Sequence, residues 1–285
     1  MNESVPRFKT NYQGEGVILV EKLKVACRYH TVGDPGRPPL LFLHGFMGDG
    51  RVWLPTMNQL QDVVYSVALD LPGHGNTEAD LAHLDFGNLA ETVAAFVYDH
   101  FDRPAVLVGY SLGGRVALHA ALSHPDRFRG LVLESASAGI EDKDERLQRL
   151  EQDEATAAKL CATDMRSFLT EWYQQPLFSS LRPETVAGII DRKAHNDPLR
   201  LAEVVVKLSP GRQSSLWDRV SAWNKPALIV AGELDEKYRA QATRLAGQMK
   251  RSSLQIVPGA GHIVHLENNA GFVEALKSFL DAYIL

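Results

Sequence analysis

The chain has little cysteine, no long apolar run and no surplus of positive charge, and each shortage excludes something. Two cysteines in 285 residues, Cys27 and Cys161, are too few for a disulfide framework or a cysteine-rich metal cluster. They fit a reduced compartment with free thiols. No run of about 18 apolar residues occurs, so no membrane-spanning helix is expected. The opening MNESVPRFKTNYQGEG lacks the apolar core of a signal peptide. A net charge of -5 argues against nucleic acid as a partner, because phosphate-backbone binding rests on a basic surplus. A cytoplasmic protein with neither membrane nor nucleic-acid partners is therefore expected. No cofactor and no metal are expected either.

Hydrophobic residues make up 45% and charged residues 23%, the balance of a soluble globular protein able to bury a sizeable core. Apolar, β-rich runs recur along it: GVILV (16–20), KVACRYH (24–30), LLFLH (40–44), VVYSVALD (63–70), AVLVG (105–109), GLVLES (130–135), ALIVAG (227–232) and SLQIV (253–257). Unbroken apolar runs of this length predict strands buried on both faces, hence a mostly parallel sheet. Helical patterns fall between them, over 88–101, 112–123 and 269–283. The alternation predicts an eight-stranded, doubly wound α/β sheet. The first two runs precede any helix and predict an antiparallel opening hairpin.

From Gly139 to Asn224 the alternation stops, and IEDKDERLQRLEQDEATAAKL and MRSFLTEWYQQPLF read as amphipathic helices. So long an insertion predicts a helical cap over the carboxyl edge of the sheet, where ligands of such folds bind. The expected organisation is a core over 1–138, a cap over 139–224 and the rest of the core over 225–285. A monomer is expected, since no extended apolar face is left over.

In VLVGYSLGG a strand runs into Gly109-Tyr110-Ser111-Leu112-Gly113 and then into a helix. That is the context of a nucleophile elbow, in which a strained turn lifts the serine hydroxyl above the sheet. Ser111 needs a base to take its proton. His262, in the glycine-rich PGAGH after the last strand, is best placed; His265 is the near competitor. A carboxylate must orient that histidine. Asp235, in AGELDEKY, is favoured by its distance past the strand end, with Glu233 and Glu236 as the alternatives. The loop after LFLHGF places the Phe46 amide opposite the Leu112 amide as an oxyanion hole, with His44 a structural turn residue. ALDLPGHGNT (68–77) reads as site wall and fold support.

LHGF, DLPGHG, GYSLGG, GELD and PGAGH occur in the order found in the α/β-hydrolase superfamily, which the chain resembles over nearly its whole length. GYSLGGR, the cap segment WYQQPLF, SPGRQ, GELDEKY and AGH followed by HLEN are similar to one family within it. That family is the 2-succinyl-6-hydroxy-2,4-cyclohexadiene-1-carboxylate synthases of menaquinone and phylloquinone biosynthesis. The resemblance implies an elimination. Pyruvate leaves 2-succinyl-5-enolpyruvyl-6-hydroxy-3-cyclohexene-1-carboxylate when a ring proton is abstracted, and Ser111 acts through His262 as the base. It also implies that Arg115, Arg149 and Arg192 bind the carboxylates of this small-molecule polycarboxylate, with Lys193 adjacent to Arg192. Tyr110 and Trp172 are implied as pocket-lining aromatics. The alternative reading is a general serine hydrolase, a carboxylesterase or acyl-CoA thioesterase. A non-catalytic receptor on the same fold would need no base-activated serine.

Overall fold

The apolar runs form β1 (Gln13–Val20), β2 (Val25–Val32), β3 (Pro39–Leu43), β4 (Tyr65–Leu69), β5 (Ala105–Tyr110), β6 (Phe128–Glu134), β7 (Ala227–Gly232) and β8 (Ser252–Val257) in a computed structural model of the chain. It describes residues 13–20, 25–75 and 77–285. Residues 1–12 of the opening stretch, Lys24 at the start of the second run and Asn76 in the 68–77 loop lie outside the described residues. The helices are α1 (Leu54–Leu60), α2 (Phe86–His100), α3 (Leu112–Ser123), α4 (Lys143–Ala162), α5 (Met165–Trp172), α6 (Pro183–Lys193), α7 (Pro198–Lys207), α8 (Glu236–Gln248), α9 (Val264–Glu267) and α10 (Asn269–Tyr283).

The eight strands make one sheet in the order β1-β2-β4-β3-β5-β6-β7-β8. β1 and β2 pair antiparallel, as does β2 with β4, and every later pairing is parallel. All five residues of β3 and of β4, and all six of β7, are buried, which is why these strands read as unbroken apolar runs. The chain winds outward in both directions from β3, whose neighbours are β4 and β5. A ligand crevice therefore opens beyond the carboxyl ends of β3 and β5.

Two apolar layers sandwich the sheet. Leu89, Val93 and Val97 of α2, Val116 and Ala120 of α3, and Leu245 of α8 fill one face. Met57 and Leu60 of α1 with Phe272, Leu276 and Leu280 of α10 fill the other. Spacings of three and four residues give each helix its buried stripe, and each large apolar side chain so buried contributes about 1.5–3 kcal/mol. Both cysteines are free. Burial, reinforced by Asp70, pushes the Cys27 thiol up to about 12, so it serves as a small core residue.

Three boundaries differ from expectation for local reasons. β4 starts at Tyr65 because the Val63 and Val64 amides donate to the Leu60 carbonyl and close α1. α2 starts at Phe86 because Asp85 Oδ1 accepts the Asn88 amide at 2.7 Å and caps it. Four helices, α4 to α7, lie between β6 and β7, but the end of that insertion does not stay with them. Leu216, Trp217, Val220 and Trp223 pack into the main core. Leu216 N–H donates to the Ala138 carbonyl at 2.7 Å and Trp217 Nε1 to that of Gly139 at 3.0 Å. The segment thus leaves and rejoins the sheet at neighbouring points.

Candidate active site

Ser111 sits between β5 and α3 with φ 51° and ψ -109°, a conformation that L residues adopt only at a cost of about 1–3 kcal/mol. Close backbone approach holds it there. A β-carbon on Gly109 would lie 2.4 Å from the Gly113 carbonyl oxygen, and one on Gly113 would lie 2.3 Å from that of Leu43. Only glycine fits at either point, which is the physical content of the GxSxG spacing.

His262 Nε2 stands 3.2 Å from Ser111 Oγ, and its Nδ1 stands 2.7 Å from Asp235 Oδ2. A carboxylate only accepts, so Nδ1 carries the proton and Nε2 is left to accept from the serine hydroxyl. His262 and Asp235 are buried, while Glu233 and Glu236 are exposed. Glu233 instead accepts the Gly259 amide at 2.9 Å and braces the histidine loop. Asp235 Oδ1 caps α8 by accepting the Tyr238 amide at 3.1 Å. The rings of Tyr238, Tyr110 and Phe178 lie 4.5, 5.4 and 6.1 Å from that of His262 and shield it from water.

Phe46 and Leu112 face the same cavity as Ser111, and neither amide donates to a protein acceptor among the described residues. His44 organises this loop. Its Nδ1 donates to the Gly45 carbonyl at 2.8 Å, and its Nε2 accepts the Leu71 amide at 3.0 Å. Burial depresses the basicity of His44 and keeps the ring neutral, as these two bonds require. The 68–77 loop supports rather than lines the site. Its His74 ring packs on those of His44 and Phe46 at 4.9 and 5.9 Å, one layer behind the cavity wall.

The cavity, of about 640 Å³, separates the sheet edge from α4, α5 and α6, and all five residues expected to bind substrate line it. Arg115 donates to the Leu208 carbonyl at 3.1 Å and to Gln213 Oε1 at 3.5 Å, and lies over the Phe86 ring. Among the described residues it has no carboxylate partner. Burial, with Arg149 repelling it, brings the guanidinium down to about 10, which still leaves it charged at neutral pH. Arg149 is different, because its Nε is bonded to the buried Asp153 at 2.9 Å. Arg192 is exposed at the rim. Trp172 stacks near Phe168 and meets the edge of Phe46 at 5.9 Å, so the WYQQP block touches the oxyanion loop. Burial and nearby Glu134 push the Tyr110 phenol well above its usual range, so it stays protonated.

Two features escape a reading of the sequence. Lys193 Nζ lies 2.8 Å from Tyr173 Oη and 3.5 Å from the Phe46 carbonyl oxygen, while its neighbour Arg192 faces the rim. Adjacent positions on a helix point about 100° apart, so only one of the pair turns fully inward. Glu134, at the end of β6, forms a fully buried pair with His265. Its carboxylate accepts the His265 amide at 3.0 Å and the ring Nδ1 at 2.9 Å. His265 is thus tied down and away from Ser111, leaving His262 as the serine's partner. Nothing in GLVLES signals a partner 131 residues distant. Glu134→Ala is expected to lower the unfolding free energy by about 3–5 kcal/mol, because it strands a buried imidazole and a buried amide. Urea denaturation measures this, and a loss below about 1 kcal/mol would show the pair to be energetically neutral.

The sequence profile of the alpha/beta hydrolase family matches residues 40–275. The chain is 36% identical to the 2-succinyl-6-hydroxy-2,4-cyclohexadiene-1-carboxylate synthase of Citrobacter koseri over 248 residues, 87% of this chain and 96% of that protein. It is 34% identical to the synthase of the same name from Enterobacter sp. (strain 638) over 248 residues, covering 87% and 93%. The solved structure of MenH from S. aureus superposes with a TM-score of 0.85 at 29% identity, covering 89% of this chain and 98% of that one.

Proposed function

This chain belongs to the α/β-hydrolase family and, within it, to the 2-succinyl-6-hydroxy-2,4-cyclohexadiene-1-carboxylate synthases, and from that premise we propose that its serine, histidine and aspartate abstract a proton rather than hydrolyse an ester. The observation that supports this reading is the hydrogen-bonded Asp235–His262–Ser111 chain under a cavity lined by Arg115, which among the described residues has no carboxylate hydrogen-bonded to it. An apolar acyl group would leave that cation buried and unpaired, whereas a polycarboxylate completes it.

The steps follow from the atoms in place. His262 Nε2 takes the hydroxyl proton of Ser111, and Ser111 Oγ takes the proton from the ring carbon beside the succinyl ketone. The C–H electron pair moves into a C=C bond as the ketone oxygen becomes an oxyanion, held by the Phe46 and Leu112 amides. Collapse of that enolate forms the ring diene and breaks the C–O bond to the enolpyruvyl group. The departing enolate collects the proton from the His262 imidazolium and becomes pyruvate. Water takes no part, and no bond forms between Ser111 and carbon. Arg115, Arg149 and Arg192 bind the carboxylates, and Tyr110 and Trp172 wall the ring.

Among the described residues, no helix is long and apolar enough to cross a membrane. The reading places the enzyme in the cytoplasm, as a monomer acting on a small molecule. The test is pyruvate release from the enolpyruvyl substrate, followed by NADH oxidation with lactate dehydrogenase. Release without external cofactor is expected. Rapid hydrolysis of p-nitrophenyl esters or acyl-CoA with no pyruvate formed would overturn the assignment.

A further inference from the structure

The segment that carries His262 runs from the end of β8 into α9, and from Gly259 to His265 a carboxylate accepts every second backbone amide. Gly259 donates to Glu233 Oε2, Gly261 to Glu267 Oε2 and Ile263 to Glu267 Oε1, each at 2.9 Å. The His265 amide donates to Glu134 Oε1 at 3.0 Å. Glu267 differs from the other two acids, because its two oxygens take the amides immediately before and after His262. It is the acid of HLEN, and the elimination chemistry above gives it no part.

Helix capping does not account for both of its bonds. α9 has Ile263 as its N-cap, so a glutamate one turn on can reach back to the Ile263 amide as capping glutamates do. Gly261 lies two residues before that cap, and its amide is not one that a helix start leaves unpaired. The second bond therefore fixes the histidine loop and not the helix. Gly261 is confined sterically as well, since a β-carbon there would lie 2.0 Å from Ser180 Oγ and 3.1 Å from Glu267 Oε2. Bonds to an ionised acceptor are roughly twice as strong as neutral ones, so this pair holds the backbone more firmly than two carbonyls would. Asp235 orients the imidazole through Nδ1 at 2.7 Å, while Glu267 sets where its backbone stands. The 3.2 Å from His262 Nε2 to Ser111 Oγ is the outcome of both.

Resting on the reading of His262 as the base that serves Ser111, we propose that Glu267 is a positioning residue. Its carboxylate grips the Gly261 and Ile263 amides and so keeps His262 Nε2 within reach of the serine hydroxyl. His265 and Leu266 line the cavity and Glu267 stands behind them, so it acts through His262 and not on substrate. Proton transfer demands this precision, because a misplacement of about 1 Å can cost on the order of 100-fold in rate.

The experiment follows pyruvate release by Glu267→Gln, alone and combined with His262→Ala. Glutamine keeps the size of the side chain but has one acceptor oxygen, so it holds one amide and turns its NH2 toward the other. Glu267→Gln is expected to lower kcat about 10- to 100-fold with KM within about threefold of the parent. In the His262→Ala enzyme the same substitution is expected to change kcat by less than about threefold, since no base is left to position. Thermal melting confirms that each variant is folded. Should Glu267→Gln not fold, Glu267→Asp, whose shorter stem strains both bonds, takes its place under the same limits. An unchanged kcat, a loss carried by KM instead, or losses that multiply in the double variant would each overturn the proposal. Failure of the unaltered enzyme to release pyruvate, or a His262→Ala enzyme as active as the parent, would instead overturn the reading on which it rests.

Discussion

Ser111→Ala is expected to lower kcat for pyruvate release by a factor of about a thousand or more, with KM changed only a few-fold. In the proposed elimination the hydroxyl receives the ring proton, whereas the proposed carboxylate contacts that hold the ground state lie elsewhere in the cavity. Alanine preserves the elbow, since the backbone at φ 51° is imposed by the glycine contacts on either side. His262→Ala and Asp235→Ala should fall to comparable activity, because each is useful only through the next in the chain of bonds. Ser111→Ala combined with His262→Ala should therefore be little worse than either alone. Mass spectrometry of the unaltered enzyme during turnover should show no covalent adduct on Ser111. An accumulating adduct, or a Ser111→Ala enzyme within tenfold of the parent, would return the serine to the role of acyl acceptor. Should Glu233→Ala cost more activity than Asp235→Ala, the acid of the triad would be misassigned, although Glu233 is exposed and Asp235 is not.

Arg115→Met is expected to cost about 100- to 1000-fold in kcat/KM, more than the loss of any cation at the rim. Arg115 is one helical turn from Ser111 and its charged guanidinium bonds only neutral oxygens among the described residues, so a substrate carboxylate gains a strong charge-assisted contact. Removing one partner of such a contact typically costs several kcal/mol. Stability should move the other way or hardly at all. A half-buried cation held only by neutral oxygens is a burden to the free protein, and methionine fills much of the same space without it. The unfolding free energy of Arg115→Met should lie within about 1 kcal/mol of the parent or above it. A variant that loses several kcal/mol of stability yet keeps its kcat/KM would show that Arg115 clamps Leu208 and Gln213 instead of binding substrate.

The two arginines expected on the same footing show where sequence reading stops. Arg115 and Arg149 both line the cavity, and both were assigned to carboxylates through a resemblance. Arg149 stands four residues before Asp153, a spacing at which oppositely charged residues on a helix meet. That local pairing is visible in DERLQRLEQD, although the same run holds several other acids within reach. The missing partner of Arg115 is a different matter, because it is a statement about everything packed around α3. The Glu134–His265 pair shows the same limit, since His265 could be ranked below His262 by its setting but its buried partner lies on another strand.

The sequence by itself determined the sheet, the elbow and the order of the triad, because these rest on short-range chemistry. Apolar runs between turn residues marked all eight strands, although only inner ones such as β3, β4 and β7 are buried throughout and the edge strand β8 is largely exposed. Gly109 and Gly113 tolerate contacts that no side chain would. It also put Phe46 and Leu112 just past the ends of β3 and β5, where both line the same cavity as Ser111. Tertiary structure alone decided which charges were already paired, which of Arg192 and Lys193 turns inward, and that the end of the cap insertion packs into the main core. Those outcomes depend on distances between segments far apart in the chain. GYSLGGR marks the serine proposed to take the proton, but only the packed cavity shows that, among the described residues, its arginine has no carboxylate bonded to it.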